Sequence, residues 1–270
     1  MEINANKSEI YYRDNNFSLL KGDCFKLLKK ISPRSVDMIF ADPPYFLSSG
    51  GITCKNGKMV SVNKGNWDLS KSINQKIEFH REWIRLCKNV LTDNGTIWIS
   101  STFHSVYAIG VALEMEGFSI LNNIIWQKTN PPPNLGCRTF THSTETVIWA
   151  RKQLTKAKKG KHIFNYKLMK EINHGKQMKD VWEFKPEPII YKSSSTPKRE
   201  KVYGKHPTQK PLALLERIIL ASTNENDLVL DPFNGSGTTG IACAKLNRKY
   251  IGIELDNDYL DISILRYLNI

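Results

Sequence analysis

Leu228-Val229-Leu230-Asp231-Pro232-Phe233-Asn234-Gly235-Ser236-Gly237-Thr238-Thr239-Gly240 reads as a buried strand, a tight glycine turn and the start of a helix. Gly235, Gly237 and Gly240 have the spacing of a dinucleotide fingerprint. Glu254 follows Asp231 by 23 residues, at the end of the next strand, where an acid suits a ribose hydroxyl pair. Taken alone, the turn is open to a nicotinamide or flavin cofactor, or to a purely structural role in packing a helix on a sheet. Asp231-Pro232-Phe233 shifts the balance. A carboxylate at the strand tip repels a pyrophosphate and suits a cationic nucleoside ligand such as S-adenosylmethionine, while the glycines let backbone approach that ligand closely.

Outward from this turn, strand-like and helix-like stretches alternate. Strands are predicted at Phe17–Lys21, Val36–Ala41, Thr96–Ser100, Ile120–Gln127, Thr144–Ala150, Leu228–Leu230 and Tyr250–Ile253. Helices are predicted at Cys24–Ile31, Gln75–Leu91, Ser105–Glu116, Pro211–Ser222, Thr238–Leu246 and Asn257–Leu268. Such alternation predicts an α/β fold with a mainly parallel sheet covered by helices on both faces. Three stretches break the pattern. Phe46–Ser72 reads as a long mobile loop, Thr129–Phe140 is barred from helix by Pro131-Pro132-Pro133, and Gln153–Lys205 is a basic insertion with scattered aromatics.

Asp42-Pro43-Pro44-Tyr45 follows the strand Val36–Ala41, at the end of the sheet where open α/β folds bind ligands. Its chemistry is specific. The lone pair of an exocyclic aromatic amine is delocalised into its ring, which makes it a poor nucleophile. Hydrogen bonds from its protons to the Asp42 carboxylate and the Pro43 carbonyl favour the pyramidal, reactive form. The prolines stiffen the turn, and the Tyr45 ring can stack on an extruded base. Positioning is then the main catalytic contribution, with no metal and no covalent intermediate. The plainer reading, a strand-terminating proline turn, loses ground once the tetrad is paired with the glycine turn.

The 270 residues carry a net charge of +13 and are 40% hydrophobic, enough to build one sizeable core. Residues 151–205 hold 16 lysines and arginines against Glu171, Asp180, Glu183, Glu187 and Glu200, which leaves the rest of the chain at +2. Charge focused in this way fits a nucleic-acid footprint as well as it fits a solvated insertion. The five cysteines are odd in number and widely spaced, which predicts reduced thiols rather than disulfides or a zinc site. No apolar run of about 18 residues occurs, and Met1–Asn16 lacks the apolar core of a signal peptide, so a cytoplasmic protein is expected.

These residues together resemble the amino-methyltransferases of DNA, in particular the beta group, whose catalytic tetrad precedes the cofactor turn in the chain. Here Asp42 comes 189 residues before Asp231. The resemblance implies a circularly permuted, Rossmann-like, seven-stranded sheet with one antiparallel strand. Residues 1–150 and 206–270 would form the catalytic domain and 151–205 a target-recognition insertion. It implies Asp42, Pro43, Pro44 and Tyr45 as catalytic residues. It implies S-adenosylmethionine held by Asp231, Pro232, Phe233, Asn234, Gly235, Ser236, Gly237, Thr238 and Glu254. Asp23 and Cys24 resemble the segment that meets the cofactor's adenine. Thr208 and Lys210, in Lys205-His206-Pro207-Thr208-Gln209-Lys210-Pro211, resemble the segment that meets its carboxylate beside a helix N-terminus. His142, Thr144 and Glu145 resemble a segment beside the target base.

Finer features resemble the adenine methyltransferases of type II restriction systems that recognise GATC and also accept single strands. They are Phe46–Gly51, Gly65–Asp68, Trp126–Pro131, Thr141–Thr146 and Gly175–Trp182. The implied partners are GATC-containing DNA, duplex or single-stranded, and a restriction endonuclease acting on the same site; a homodimer is open, as many relatives pair. Insertion lysines would neutralise phosphates, with Lys55, Lys58 and Lys64 of the loop after Tyr45 as further backbone contacts. Arg138, Asn173, Gln177 and Arg199 are candidate base readers. Methylation of the exocyclic amine of cytosine, a catalytically silent nucleic-acid-binding module and a nicotinamide oxidoreductase are the competing readings. Intact Asp42 and Asp231 count against the silent module.

Overall fold

The computed structural model describes residues 3–47, 52–55, 58–61, 69, 71–129, 131, 133–153, 161–184, 200, 202–204 and 209–270. Its strands are β1 (Ile10–Arg13), β2 (Phe17–Lys21), β3 (Val36–Ala41), β4 (Ile52–Lys55), β5 (Lys58–Ser61), β6 (Leu91–Ser101), β7 (Phe118–Gln127), β8 (Thr144–Lys152), β9 (Val181–Glu183), β10 (Leu228–Asp231) and β11 (Lys249–Glu254). Its helices are α1 (Cys24–Leu27, continued by a 3-10 turn), α2 (Ile73–Val90), α3 (Val106–Met115), α4 (Tyr166–Ile172), α5 (Leu212–Ser222), α6 (Thr238–Lys245) and α7 (Asn257–Leu268).

The main sheet has the order β1-β2-β11-β10-β3-β6-β8-β7-β9. Its inner seven strands are those read from the sequence, and β8 alone among them runs antiparallel. The late strands β10 and β11 lie between the early strands β2 and β3, which is the permuted arrangement. The expected count of seven is corrected to nine by one short strand on each edge, β1 antiparallel to β2 and β9 parallel to β7. Both are too short to show a convincing alternation in sequence, and edge pairing is set by tertiary contact.

Strand alternation divides the core into two layers. Ile39, Ile97, Ile99, Leu230, Ile251 and Ile253 face α2 and α3 through Trp83, Ile84, Cys87, Ile109 and Leu113. Met38, Phe40, Trp98, Val229 and Tyr250 face α5, α6 and α7 through Leu215, Ile218, Ala242 and Leu260. In this second layer Trp98 stacks on Trp149 with centroids 4.7 Å apart, and its indole N–H donates to Ser222 Oγ at 3.0 Å. Each fully buried Leu, Ile, Val, Phe or Met of these layers stabilises the fold by roughly 1.5–3 kcal/mol. Gly240 is required by the second layer, because a Cβ there would lie 2.5 Å from the Phe17 ring and 2.6 Å from that of Tyr250.

Two stretches are more ordered than their sequence reading. Within Phe46–Ser72, β4 and β5 pair as an antiparallel hairpin with Lys55 opposite Lys58. The overlooked signal is Asn56-Gly57 between them, the residue pair that two-residue hairpin turns favour. In the basic insertion, α4 packs beside α5, and the side-chain amide of Asn165 donates to the carbonyls of Leu220 and Thr223. Trp182 of β9 is buried in the second core layer. The described part of the insertion is therefore laid on the catalytic sheet, and it exposes Lys161, Lys167, Lys176 and Lys179.

Candidate active site

The C-terminal ends of β2, β11, β10 and β3 open into one cleft of about 820 Å³. Because β10 pairs directly with β3, with Leu230 opposite Ile39, the chain leaves both strands side by side and carries Asp231 and Asp42 into the same space. From the first strands, Asp23 and Cys24 line it beside the tetrad Asp42, Pro43, Pro44 and Tyr45. From the late strands come Asp231, Pro232, Phe233, Asn234, Gly235, Ser236, Thr238 and Glu254, and Lys210 enters ahead of α5. Phe79 of α2 and the segment Leu255–Tyr259, not anticipated from sequence, also line it, as does Gln209 beside Lys210.

The late-strand side is built around acids and backbone N–H groups. Asp231 is 2% exposed; it accepts from Phe233 N at 3.0 Å and from the Thr239 hydroxyl at 2.6 Å. Burial pushes its carboxyl up to about 7, with the negative charges of Asp42 and Glu254 adding to the effect. Glu254 accepts from the N–H of Gly235 at 2.8 Å and from those of Leu255 and Asp256, and burial raises it as well. Asp23 caps α1 by accepting from Phe25 N at 2.8 Å. Gly235 and Gly237 take positive φ, 50° and 76°.

Not every glycine-turn residue is turned to the cleft. Gly237 does not line it; a Cβ there would meet Ser263 Oγ of α7 at 2.7 Å, so its role is close packing. Asn234 touches the cleft, but its amide donates to Gly235 O and Ser263 Oγ, and its oxygen accepts from the Tyr250 hydroxyl. Beneath the turn, the buried guanidinium of Arg266 donates to Ser236 O at 2.6 Å and to Thr238 Oγ1 at 3.0 Å. No local motif marks Arg266, which reaches the turn from the last helix. Thr208 lies outside the described residues.

On the other side the tetrad is held by a charge network. Asp42 Oδ1 accepts from the Tyr45 hydroxyl at 2.5 Å, and Oδ2 accepts from Lys210 Nζ at 2.8 Å. The Tyr45 hydroxyl also meets Lys210 Nζ at 3.0 Å and Ser100 Oγ at 3.1 Å. Burial, and then the neighbouring Asp42, holds the phenol well above its usual range, so it stays a donor. Glu145 Oε2 lies 3.7 Å from Lys210 Nζ, while its Oε1 pairs with Lys128 at 2.8 Å. Burial opposes the charge on Lys210, but Asp42, Tyr45 and Glu145 outweigh it and keep the ammonium protonated. Phe46, next in the chain, is buried at φ 57° and packs on Phe79.

Of the segment resembling a target-base neighbour, Glu145 reaches the cleft network. Thr144 is exposed, and His142 stacks on Phe103 at the surface. Among the candidate base readers, Arg138 is exposed, Asn173 ties a turn to Lys176 O and Gln177 O, and Gln177 donates to the Tyr166 hydroxyl. Arg199, Lys64 and the side chains of Lys55 and Lys58 lie outside the described residues.

The cleft's residues fit S-adenosylmethionine. The volume is that of a nucleoside-sized site, the turn presents backbone, and the surrounding side chains Asp23, Asp231 and Glu254 are acids suited to a cation and to hydroxyl or amino donors. A glycine turn of this charge, sharing one cleft with an Asp-Pro-Pro-Tyr tetrad in a permuted sheet, defines a methyltransferase. Residues 36–265 match the DNA methylase family of N6 and N4 methyltransferases. The chain is 59% identical over 253 residues to the type II methyltransferase M2.DpnII of Streptococcus pneumoniae, covering 94% of this chain and 90% of the relative. It is 50% identical over 254 residues to M2.MboI of Moraxella bovis, covering 94% and 88%. Among solved structures it resembles the M1.HpyAVI–SAM complex with 31% identity and a TM-score of 0.63, covering 94% of this chain and 100% of that one. The cytosine-N4-specific PvuII DNA methyltransferase, at 19% identity, shares the fold with a TM-score of 0.72, covering 97% and 89%. The chain belongs to the N6/N4 DNA methylase family. It is an enzyme of the type II restriction-modification kind that methylates DNA from S-adenosylmethionine.

Proposed function

We propose that the enzyme methylates the exocyclic amine of adenine in GATC, in duplex and in single-stranded DNA, alongside an endonuclease that cuts the same site. The observation that carries this reading is the shared cleft, with Asp42-Pro43-Pro44-Tyr45 on one wall and the Asp231 turn on the other. GATC and single-strand use rest on the stretches named above, including Gly175–Trp182, and on the similarity to M2.DpnII and M2.MboI. In this reading the target-recognition insertion spans 151–205, and its lysines neutralise phosphates. A cytoplasmic location follows from the substrate; no described helix is long and apolar enough to cross a membrane.

S-adenosylmethionine supplies an electrophilic methyl group on a sulfonium. The protein's own residues do the rest. Asp42 and the Pro43 carbonyl accept the two N–H bonds of the extruded adenine's amine and draw its lone pair out of conjugation. Tyr45 and the prolines form the adjoining wall, and Asp231, Glu254 and Asp23 hold the donor's charged and polar groups. Phe79, with Phe46 packed behind it, brings apolar surface to the cleft and thins the water there.

Tritiated methyl transfer to a plasmid, with nucleoside analysis and digestion by a GATC-cutting nuclease, tests the proposal. N6-methyladenine and full resistance are expected. N4-methylcytosine, or methyladenine without resistance, would overturn the base or the sequence respectively.

A further inference from the structure

Lys210 has the sequence position of a cofactor-carboxylate ligand but a different environment. It stands at the mouth of α5, yet its ammonium crosses to the tetrad, 168 residues away in the chain. It is 7% exposed and has three N–H bonds to place. Asp42 Oδ2 at 2.8 Å and Tyr45 Oη at 3.0 Å accept from it, and Glu145 Oε2 at 3.7 Å adds an ion-pair contact. Behind Glu145 stands Lys128, whose own ammonium rests over the Trp126 ring. The charges alternate from Asp42 through Lys210 and Glu145 to Lys128. Lys210, the buried ion of the four, is flanked by opposite charges, the condition under which burial of charge is tolerable.

We propose that Lys210 is a positioning residue of the methyl-accepting half of the site rather than a ligand of the cofactor. This rests on the adenine reading above. Two of the oxygens around Lys210 belong to the tetrad itself, so the ammonium fixes the rotamer of Asp42 and the tilt of Tyr45 together. Each Asp42 oxygen keeps a second lone pair for the substrate amine. Glu145 gives Lys210 a second ion pair and is itself paired with Lys128. The pair reads each half of the chain against the other: α5 must be docked on the sheet for the tetrad to be aligned.

The test compares Lys210→Met and Lys210→Arg with wild type, using single-turnover methylation of a GATC duplex and equilibrium binding of S-adenosylhomocysteine. Lys210→Met should lower the saturated single-turnover rate by about 10–100-fold and leave the product's binding constant within about threefold. Lys210→Arg should recover part of the rate. Binding weakened tenfold or more, with the saturated rate intact, would assign Lys210 to the cofactor and overturn the proposal. A lower rate that Lys210→Arg does not recover at all would reduce Lys210 to packing and overturn it too. Wild type that methylates cytosine instead would overturn the adenine reading and is scored separately in the same assay.

Discussion

Replacing Asp42 by Ala should reduce methyl transfer by about 10³-fold or more while leaving S-adenosylmethionine binding within a few-fold of wild type. The carboxylate sits at the end of β3, on the tetrad wall, and the cofactor's candidate ligands come from the neighbouring strands. Its loss removes the acceptor that draws out the amine lone pair and leaves the donor's site in place. The alanine variant also deprives Lys210 of its nearest counter-ion, a change that costs about 3–5 kcal/mol where a buried charge is stranded. Asp42→Asn keeps shape and one acceptor oxygen, so it separates the two effects. It should stay folded near the wild-type melting temperature and still lose most of its turnover. Isothermal titration with the cofactor, beside single-turnover rates on a GATC duplex, reads both. Turnover within tenfold of wild type in both variants would remove Asp42 from the chemistry.

Asp231→Asn should weaken S-adenosylmethionine binding by about 10²-fold, close to 3 kcal/mol, without loss of the fold. The sign of its pH dependence is fixed by burial. With no ligand bound, the folded-state carboxyl is pushed up from 3.8 to about 7. A raised carboxylate contributes stability that is complete below about pH 4 and is lost as pH rises through about 7. Asp231→Asn is free of that loss, so relative to wild type it should melt higher at pH 8 than at pH 5, by roughly 2–4 °C per kcal/mol regained. A cationic ligand has the opposite preference, for the ionised form. Wild-type affinity should therefore fall as pH drops below about 7, approaching tenfold per pH unit, with proton release on binding. The Asn variant should show a flat profile over the same range. An unchanged profile would mean that Asp231 does not face the donor's charge.

The sequence carried the central strands because they are buried on both faces and therefore largely apolar, as in Val36–Ala41 apart from Asp37 and Leu228–Asp231 apart from its last residue. It carried the shared cleft as well, since both key carboxylates sit at the C-terminal ends of such strands. Edge elements were harder. β1 and β9 owe their pairing to neighbours, and α4 owes its place to Asn165 hydrogen bonds with the end of α5. At the site, the fingerprint spacing identified the turn but did not distinguish glycines that face the cleft from Gly237, which makes room for Ser263. Lys210 was legible as a functional lysine, whereas its partner is set by where α5 docks on the sheet. Arg266 had no local signature, and Lys128 stood only within the stretch Trp126–Pro131 with no role of its own, because each acts on residues brought near by the fold alone.

A bisubstrate analogue gives the most direct test: an oligonucleotide whose single GATC adenine carries, at its exocyclic nitrogen, a short carbon link to the aminoacid-bearing adenosine of the cofactor. One cleft holding both partners requires that it bind one per chain, compete with S-adenosylmethionine and with unmodified DNA alike, and bind at least about 10²-fold more tightly than either alone. Competition with only one of the two, or affinity no better than the tighter component, would place donor and adenine in separate sites and contradict the shared cleft.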